Sequence, residues 1–158
     1  MTDFIDHFKT TSENLGKQFL SDGRVTTYLR GHTAAADECI RQLALCEELG
    51  NEIALVALGG YGRKELFPYS DLDVMVLLRQ SASADEATKI EHFLMRLWDM
   101  GLTVGSSVRT LEETLRESSQ DITVQTAILE ARFICGNKHL FEELQQSFFR
   151  RNGSNRFR

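Results

Sequence analysis

Apolar residues in the first third of the chain recur at the spacing of an α-helix. Over residues 25–49 they fall at intervals of three, four and seven, without a proline, and Gly50 follows at a position where helices commonly end. A weaker pattern of the same kind covers residues 4–19. The sequence therefore predicts an N-terminal helical segment over residues 1–50.

Two short apolar runs come next and have the composition of buried strands. They cover residues 53–58 and 72–78, and only Asp73 interrupts the second. Runs of this length without polar alternation are typical of strands covered on both faces. A third and weaker strand, which contains Gly105, is predicted at residues 102–109.

The remaining chain returns to helical periodicity. Ser83 and Glu86 have the spacing of a capping box at the start of a helix predicted over residues 83–101, and Thr110 and Glu113 repeat that spacing. Further helical patterns lie at residues 111–117, 122–134 and 140–149, and Gly136 and Asn137 separate the last two as predicted cap residues. The predicted order is helices, strand, loop, strand, helix, strand, helices.

Length and composition indicate one compact unit. The chain has 158 residues, of which 42% are hydrophobic and 26% charged, enough to bury a core. Its net charge of −5 gives no general basic surface, so nucleic-acid binding is not expected. Arginines concentrate at the end of the chain, where residues 151–158 are predicted to form a disordered basic tail.

Cysteine usage and hydropathy indicate a compartment. Cys39, Cys46 and Cys135 lack the CxxC spacing of a zinc site and do not suggest a disulfide framework. No segment approaches the roughly 18 consecutive apolar residues of a membrane span, and the first residues do not have the pattern of a signal peptide. A cytoplasmic location without membrane association is expected.

The candidate chemistry lies in residues 58–78, LGGYGRKELFPYSDLDVMVLL. Asp71 and Asp73 are two residues apart, so they project from one strand face with about 6.5 to 7 Å between their backbone positions. Two carboxylates directed at one point favour a hard cation such as Mg²⁺. The alternative is a turn-capping Asp71 and a solvent-facing Asp73, but Asp73 lies in a run too apolar for an exposed face.

Gly59 and Gly60 follow the first predicted strand. Without side chains there, backbone N–H groups can approach a phosphate closely, and a short helix predicted at residues 61–66 would favour an anion. Arg63 and Lys64 add positive charge nearby. An ordinary tight turn is the alternative. The stretch lacks the letters of a P-loop and the third glycine of a dinucleotide-binding motif.

Together these letters form a Gly-Gly pair, ten residues and an Asp-x-Asp, which resembles the nucleotidyltransferase signature of the DNA polymerase beta superfamily. The resemblance narrows to bacterial [protein-PII] uridylyltransferases and covers residues 53–144. It is carried by GGYGRKELFPYSDLD, LWDMGLTVGSSVRTLEE and DITVQTAILEARFICGNKHLFEEL.

The resemblance implies an α+β fold, a small mixed sheet with flanking helices, in which residues 51–150 form the nucleotidyltransferase domain. It implies transfer of UMP from UTP to a tyrosine of the PII signalling protein, with release of pyrophosphate. Asp71 and Asp73 would bind catalytic Mg²⁺, Gly59 and Gly60 would hold the phosphates, and Ser70 would contact the triphosphate. Arg63 and Arg109 are further candidates for phosphate contact, with surface ion pairs as the alternative.

Two departures from the family pattern stand out. Superfamily members commonly take a third carboxylate from the next core strand, but LTVGSSVR has no acid. Family members also continue into HD hydrolase and ACT domains, whereas no histidine here is followed by aspartate, so a transferase domain alone is expected. The candidates for the missing acid, each also readable as a capping or surface residue, are Asp99, Glu112, Asp121 and Glu130.

These departures leave two alternatives to uridylyl transfer. One is a related nucleotidyltransferase that uses another nucleotide or acceptor. The other is a nucleotide-binding or regulatory module with weak catalysis.

Overall fold

A computed structural model describes the backbone of residues 3–156 and the side chains of residues 3–152, and it has α+β architecture. The strands are β1 (Ile53–Ala57), β2 (Leu72–Leu78), β3 (Val104–Thr110) and β4 (Arg132–Gly136). The helices are α1 (Asp3–Asp22), α2 (Val25–Cys46), α3 (Gly59–Gly62), α4 (Ala84–Trp98), α5 (Leu111–Ser118), α6 (Ile122–Leu129) and α7 (Lys138–Arg156).

The four strands form one mixed sheet in the order β3-β2-β1-β4. Strand β1 pairs antiparallel with both β2 and β4, whereas β2 and β3 are parallel. Every residue of β1 is buried, and in β2 only Asp73 is not. The prediction of two strands covered on both faces, inside a small mixed sheet with flanking helices, is confirmed.

Alternate residues of the two central strands supply two hydrophobic cores, one on each face of the sheet. Leu55 and Val76 pack on one face with residues of α1, α2 and α4, including Phe8 and Ile40. The opposite face packs against α5, α6 and α7 through Ala54, Val56, Met75 and Leu77. Since α1 and α2 share a core with the sheet, the predicted N-terminal helical segment completes one face of it.

The predicted helix starts are confirmed by their caps. The Ser83 hydroxyl accepts from the Glu86 N–H at 3.2 Å, and the Glu86 carboxylate accepts from the Ser83 N–H at 3.4 Å. Thr110 and Glu113 make the same reciprocal pair at the start of α5. These side chains satisfy N–H groups that have no partner within the helix.

The end of α2 differs from the prediction. Glu48, with φ of 53°, takes the left-handed position that the sequence assigned to Gly50. The Glu48 N–H donates to the Leu45 carbonyl at 3.1 Å, and the Leu49 N–H donates to the Ala44 carbonyl at 3.2 Å. This is the Schellman pattern, and it closes the helix before the glycine is reached.

The helix predicted over residues 122–134 is wrong in its second half. Helix α6 ends at Leu129, and residues Arg132–Gly136 form the edge strand β4. Phe133 belongs to one core and Ile134 to the other, as alternate residues of a strand do. The strand exists because β1 offers it a hydrogen-bonding edge, and that tertiary pairing overrides the local helical pattern.

Helix α7 continues to Arg156, so residues 151–156 are helical and the predicted disordered tail is wrong for them. Buried Phe148 anchors the end of this helix, and its carbonyl accepts from the Asn152 side chain at 3.0 Å. The last two residues of the predicted tail lie outside the described part of the chain. Within residues 3–156, no helix has the length and apolar character required to span a membrane.

Candidate active site

Asp71 and Asp73 lie where the loop from α3 enters β2. Leu72, between them, is fully buried, and its N–H donates to the Thr103 carbonyl at 2.8 Å. The Asp73 carbonyl accepts from the Leu58 N–H at 2.9 Å. Strand alternation therefore directs both carboxylates away from the core that holds Leu72, with Asp71 exposed and Asp73 half-buried.

The Asp73 carboxylate lies between two glycines. A Cβ added at Gly59 would be 3.0 Å from one carboxylate oxygen, and a Cβ added at Gly105 would overlap the other. Gly59 also has φ of 59°, a conformation that favours glycine. Gly105 is the β3 residue in register with Asp73. The two missing side chains therefore create the space that the carboxylate occupies.

The electrostatics of the pair favour a bound cation. Burial raises the pKa of the Asp73 carboxyl, and the negative charge of Asp71 raises it further. Two adjacent carboxylates repel each other, so a divalent cation would relieve both effects. Among the residues described, no group of three or more His, Cys, Asp and Glu side chains is arranged to hold a metal ion. Two carboxylates fit Mg²⁺, which keeps waters and binds substrate phosphates at its other positions.

The glycine turn is the one-turn helix α3, directly after β1. The helix predicted at residues 61–66 begins two residues earlier, at Gly59, and ends at Gly62. A Cβ at Gly62 would overlap the Glu130 carbonyl and lie 2.9 Å from the Ala57 carbonyl. The turn is therefore packed against the end of α6 and of β1 at a position that the sequence analysis did not single out.

The other predicted phosphate contacts differ in position. Ser70 precedes Asp71, and its hydroxyl accepts from the Phe67 N–H at 3.1 Å, so it helps close the loop before β2. Arg63 follows the glycine turn but is ion-paired with Glu65 at 3.3 Å and Glu130 at 2.7 Å.

Arg109 is not brought to this end of the sheet. It pairs in register with Leu77 and forms an ion pair with Glu117 of α5. Its Cα lies about 13 Å along β3 from Gly105, since four residues separate them. The structure thus gives Arg109 the surface ion-pair role that was the alternative to phosphate contact.

Of the four candidates for a third acid, only Glu130 reaches the glycine turn, through its ion pair with Arg63. Asp99 ends α4 and pairs with Arg96, and Asp121 caps the start of α6 through the Thr123 N–H. Glu112 is exposed in the first turn of α5. Strand β3, VGSSVRT, adds no acid beside Asp73.

Sequence reasoning missed Gly105 as a site residue. From the sequence, Gly105 predicts only that the third strand is weak. A glycine inside a strand can also mark a close approach by another group, and this is the signal that would have found it.

A buried histidine holds the loop that leads to the aspartates. His32 of α2 is fully buried, and its Nδ1 donates to the Leu66 carbonyl at 2.8 Å. The other ring nitrogen then accepts from the Ser12 hydroxyl at 2.9 Å. Burial lowers the pKa of His32 more than the Leu66 hydrogen bond raises it.

Protonation of His32 should therefore destabilise the fold. The unfolded chain takes up a proton near pH 6.5 and the folded chain only at lower pH, so stability falls as pH drops below about 6.5, by at most about 1.4 kcal/mol per pH unit. Urea unfolding at pH 7.5, 6.5 and 5.5 measures this for the wild type and His32→Gln. We expect a shallower pH dependence in His32→Gln, and His92→Gln, at an exposed position, is the control. Equal dependence in the wild type and His32→Gln would exclude this role.

A glycine turn after one buried strand, beside two carboxylates at the start of its neighbour, defines a domain of the nucleotidyl-transfer class. The chain belongs to the nucleotidyltransferase domain family, whose match covers residues 40–125. It is 44% identical over 140 residues to a bifunctional uridylyltransferase/uridylyl-removing enzyme of Cupriavidus pinatubonensis, covering 89% of this chain and 16% of the relative. A relative of the same description from Cupriavidus metallidurans is 43% identical over 143 residues, covering 90% and 17%.

The chain spans about one sixth of the length of the curated relatives it matches. Among solved structures, a chain in the crystal structure of a toxin-antitoxin with AMP-PNP is similar with a TM-score of 0.48 and 13% identity, covering 77% of this chain and 87% of that one. The predicted resemblance to uridylyltransferases is confirmed by sequence identity, and the family match supports the prediction of a nucleotidyltransferase domain.

Proposed function

We propose that the chain transfers UMP from UTP to a tyrosine hydroxyl of the PII protein, with Asp71 and Asp73 as ligands of Mg²⁺. The observation that carries the proposal is the Asp73 carboxylate, held beside Asp71 in the space left by Gly59 and Gly105. The choice of UTP comes from relatives described as uridylyltransferases. We assign the transfer to residues 51–150, and we propose the cytoplasm as its compartment because the three cysteines of the chain are free thiols.

Each residue of the site has a part in this reaction. Backbone N–H groups of Gly59 and Gly60 bind the triphosphate, and the Ser70 hydroxyl adds a contact beside Asp71. When bound, Mg²⁺ offsets the charge on the triphosphate and on the leaving pyrophosphate and lowers the pKa of the attacking hydroxyl. The tyrosine oxygen forms a bond to the α-phosphorus as the bond from the α-phosphorus to the bridging oxygen breaks. Pyrophosphate leaves with that electron pair, and the hydroxyl proton passes to water. The chain therefore acts mainly by positioning the reactants.

Arg63 is the cationic side chain nearest to this turn in sequence. Its partners Glu65 and Glu130 leave 44% of the Arg63 side chain exposed, and ion pairs this exposed stabilise a fold weakly. We propose that Arg63 exchanges these carboxylates for the triphosphate when UTP binds.

A second candidate function is a regulatory module that binds nucleotide without turnover. The absence of an acid from β3 favours it, because the third carboxylate common in this superfamily is then missing. A related transferase with another nucleotide or acceptor is the third reading, since no contact described above distinguishes one base from another.

Pyrophosphate release separates these functions. We expect release from UTP in the presence of PII and Mg²⁺, at a rate at least about tenfold above that from ATP or CTP, which corresponds to about 1.4 kcal/mol of discrimination. A preference for ATP or CTP would instead indicate a related transferase. Nucleotide binding without release from any of the three would indicate the regulatory module.

A further inference from the structure

We propose that Asp37, Tyr61 and Arg132, which we call the positioning cluster, fix the glycine turn in its phosphate-binding conformation. They come from α2, α3 and β4, three elements that are far apart in sequence. None of the three is a candidate ligand for metal or nucleotide. The inference rests on the proposed function, because it assigns to the cluster the geometry of the turn that would hold the triphosphate.

The cluster holds Tyr61 at three points. The Tyr61 hydroxyl donates to an Asp37 carboxylate oxygen at 2.5 Å, and the Tyr61 backbone carbonyl accepts from Arg132 at 3.0 Å. The Arg132 guanidinium also lies over the Tyr61 ring, 5.1 Å from its centroid. Side chain, ring and backbone of the residue directly after Gly60 are therefore all constrained.

The ion pair itself has the geometry that a buried pair requires. Arg132 donates to the two oxygens of Asp37 at 2.7 and 3.2 Å, and only 17% and 11% of their side chains are exposed. Burial of two charges is costly unless their geometry is good and further hydrogen bonds satisfy them. Tyr61 supplies a further bond to each partner, and the buried Arg132 Nε–H alone has no hydrogen-bond partner in the cluster. Burial raises its pKa well above the usual value, so the hydroxyl keeps the proton it donates.

The place of the buried Asp37–Arg132 ion pair in the fold indicates its role. Replacing a buried ion pair by apolar residues often leaves the stability of a fold unchanged or increases it. A buried ion pair is therefore weak evidence for a stabilising role. Here both members of the pair are hydrogen-bonded to Tyr61, a residue of the glycine turn whose ring is also part of the core packed against α1, α2 and α4. On the other side of that residue, Gly62 packs against the end of α6. The cluster and this packing together leave the turn one arrangement.

The experiment compares the wild-type chain with Arg132→Lys and Tyr61→Phe. Arg132→Lys keeps the charge and loses the planar two-point contact, and Tyr61→Phe loses only the hydroxyl. Calorimetry with UTP and Mg²⁺ gives the Kd, steady-state transfer to PII gives KM and kcat, and hydrogen exchange reports on residues 58–66. Glu38→Gln, at an exposed position next to Asp37 on α2, is the matched control.

For Arg132→Lys we expect the Kd and KM for UTP to rise at least about tenfold, with a smaller change in kcat and faster hydrogen exchange in residues 58–66. Tyr61→Phe should change in the same direction by less, and Glu38→Gln should match the wild type. A purely structural role would reduce kcat through a smaller folded fraction and leave KM unchanged, which would overturn the inference.

Two further outcomes separate this inference from the function on which it rests. If the wild type binds UTP and both variants bind it equally well, the inference fails and the proposed function stands. If the wild type itself does not bind UTP with Mg²⁺, the proposed function fails and the inference with it. If Arg132→Lys does not fold, the Kd and KM of Tyr61→Phe test the inference, because that variant leaves the Asp37–Arg132 ion pair intact.

Discussion

Asp73→Asn should lower the rate of UMP transfer by roughly a thousandfold. The substitution keeps the size of the side chain but removes the negative charge that would hold Mg²⁺. A metal ion contributes several kcal/mol of charge stabilisation in such reactions, and about 4 kcal/mol corresponds to a thousandfold in rate. Transfer of label from UTP to PII at saturating Mg²⁺ measures the loss.

The fold should survive this change, because asparagine at 73 removes the repulsion from Asp71 and the cost of burying a charge. Urea unfolding should therefore show a stability equal to or above that of the wild type. Asp85→Asn is the control: it removes a carboxylate from an exposed position in the first turn of α4. An Asp73→Asn protein that labels PII at the wild-type rate would show that this carboxylate is not a metal ligand.

Gly105→Ala should lower the transfer rate by roughly a hundredfold, although residue 105 carries no functional group. The added methyl group would overlap a carboxylate oxygen of Asp73, and the carboxylate must turn away to admit it. Displacements of about 1 Å in a positioned group can cost about two orders of magnitude in rate. The kcat for UMP transfer, measured at saturating UTP and Mg²⁺, is the appropriate quantity.

The matched control for this variant is Gly50→Ala, because an added Cβ there has no neighbour within 4 Å. We expect Gly50→Ala to keep the wild-type kcat. Folding should change little in Gly105→Ala, since the atom displaced belongs to a side chain and not to the backbone. A wild-type kcat in Gly105→Ala would mean that the position of the Asp73 carboxylate does not limit the reaction.

Local patterns predicted most of the fold. The two capping boxes set the starts of α4 and α5, and the two continuous apolar runs became the central strands because helices cover both faces. Strand β4 was not predicted, because its five residues form a strand only by pairing with the edge of β1. The end of α2 was also predicted at the wrong residue. Glu48 adopts the left-handed conformation usually found at glycine, because the hydrogen bonds that close the helix form there.

Part of the candidate site could be predicted from the sequence, and part of it could not. Asp71, Asp73 and the glycine pair could be found from the letters, because strand alternation and missing side chains act within a few residues. The contacts that hold them could not. Gly105 approaches Asp73 only through the register of β2 and β3, and Asp37 meets Arg132 across 95 residues of sequence. Neither relation leaves a periodic or local signal.

The central claim is that this chain transfers UMP to PII at a magnesium site, and the mass of PII after incubation tests it most directly. PII would be incubated with the chain and UTP, once with Mg²⁺ and once with a chelator, and its tyrosines examined by mass spectrometry. We predict the addition of one uridylyl group to a PII tyrosine in the presence of Mg²⁺ and none with the chelator. Unmodified PII under both conditions, or equal modification under both, would contradict the account.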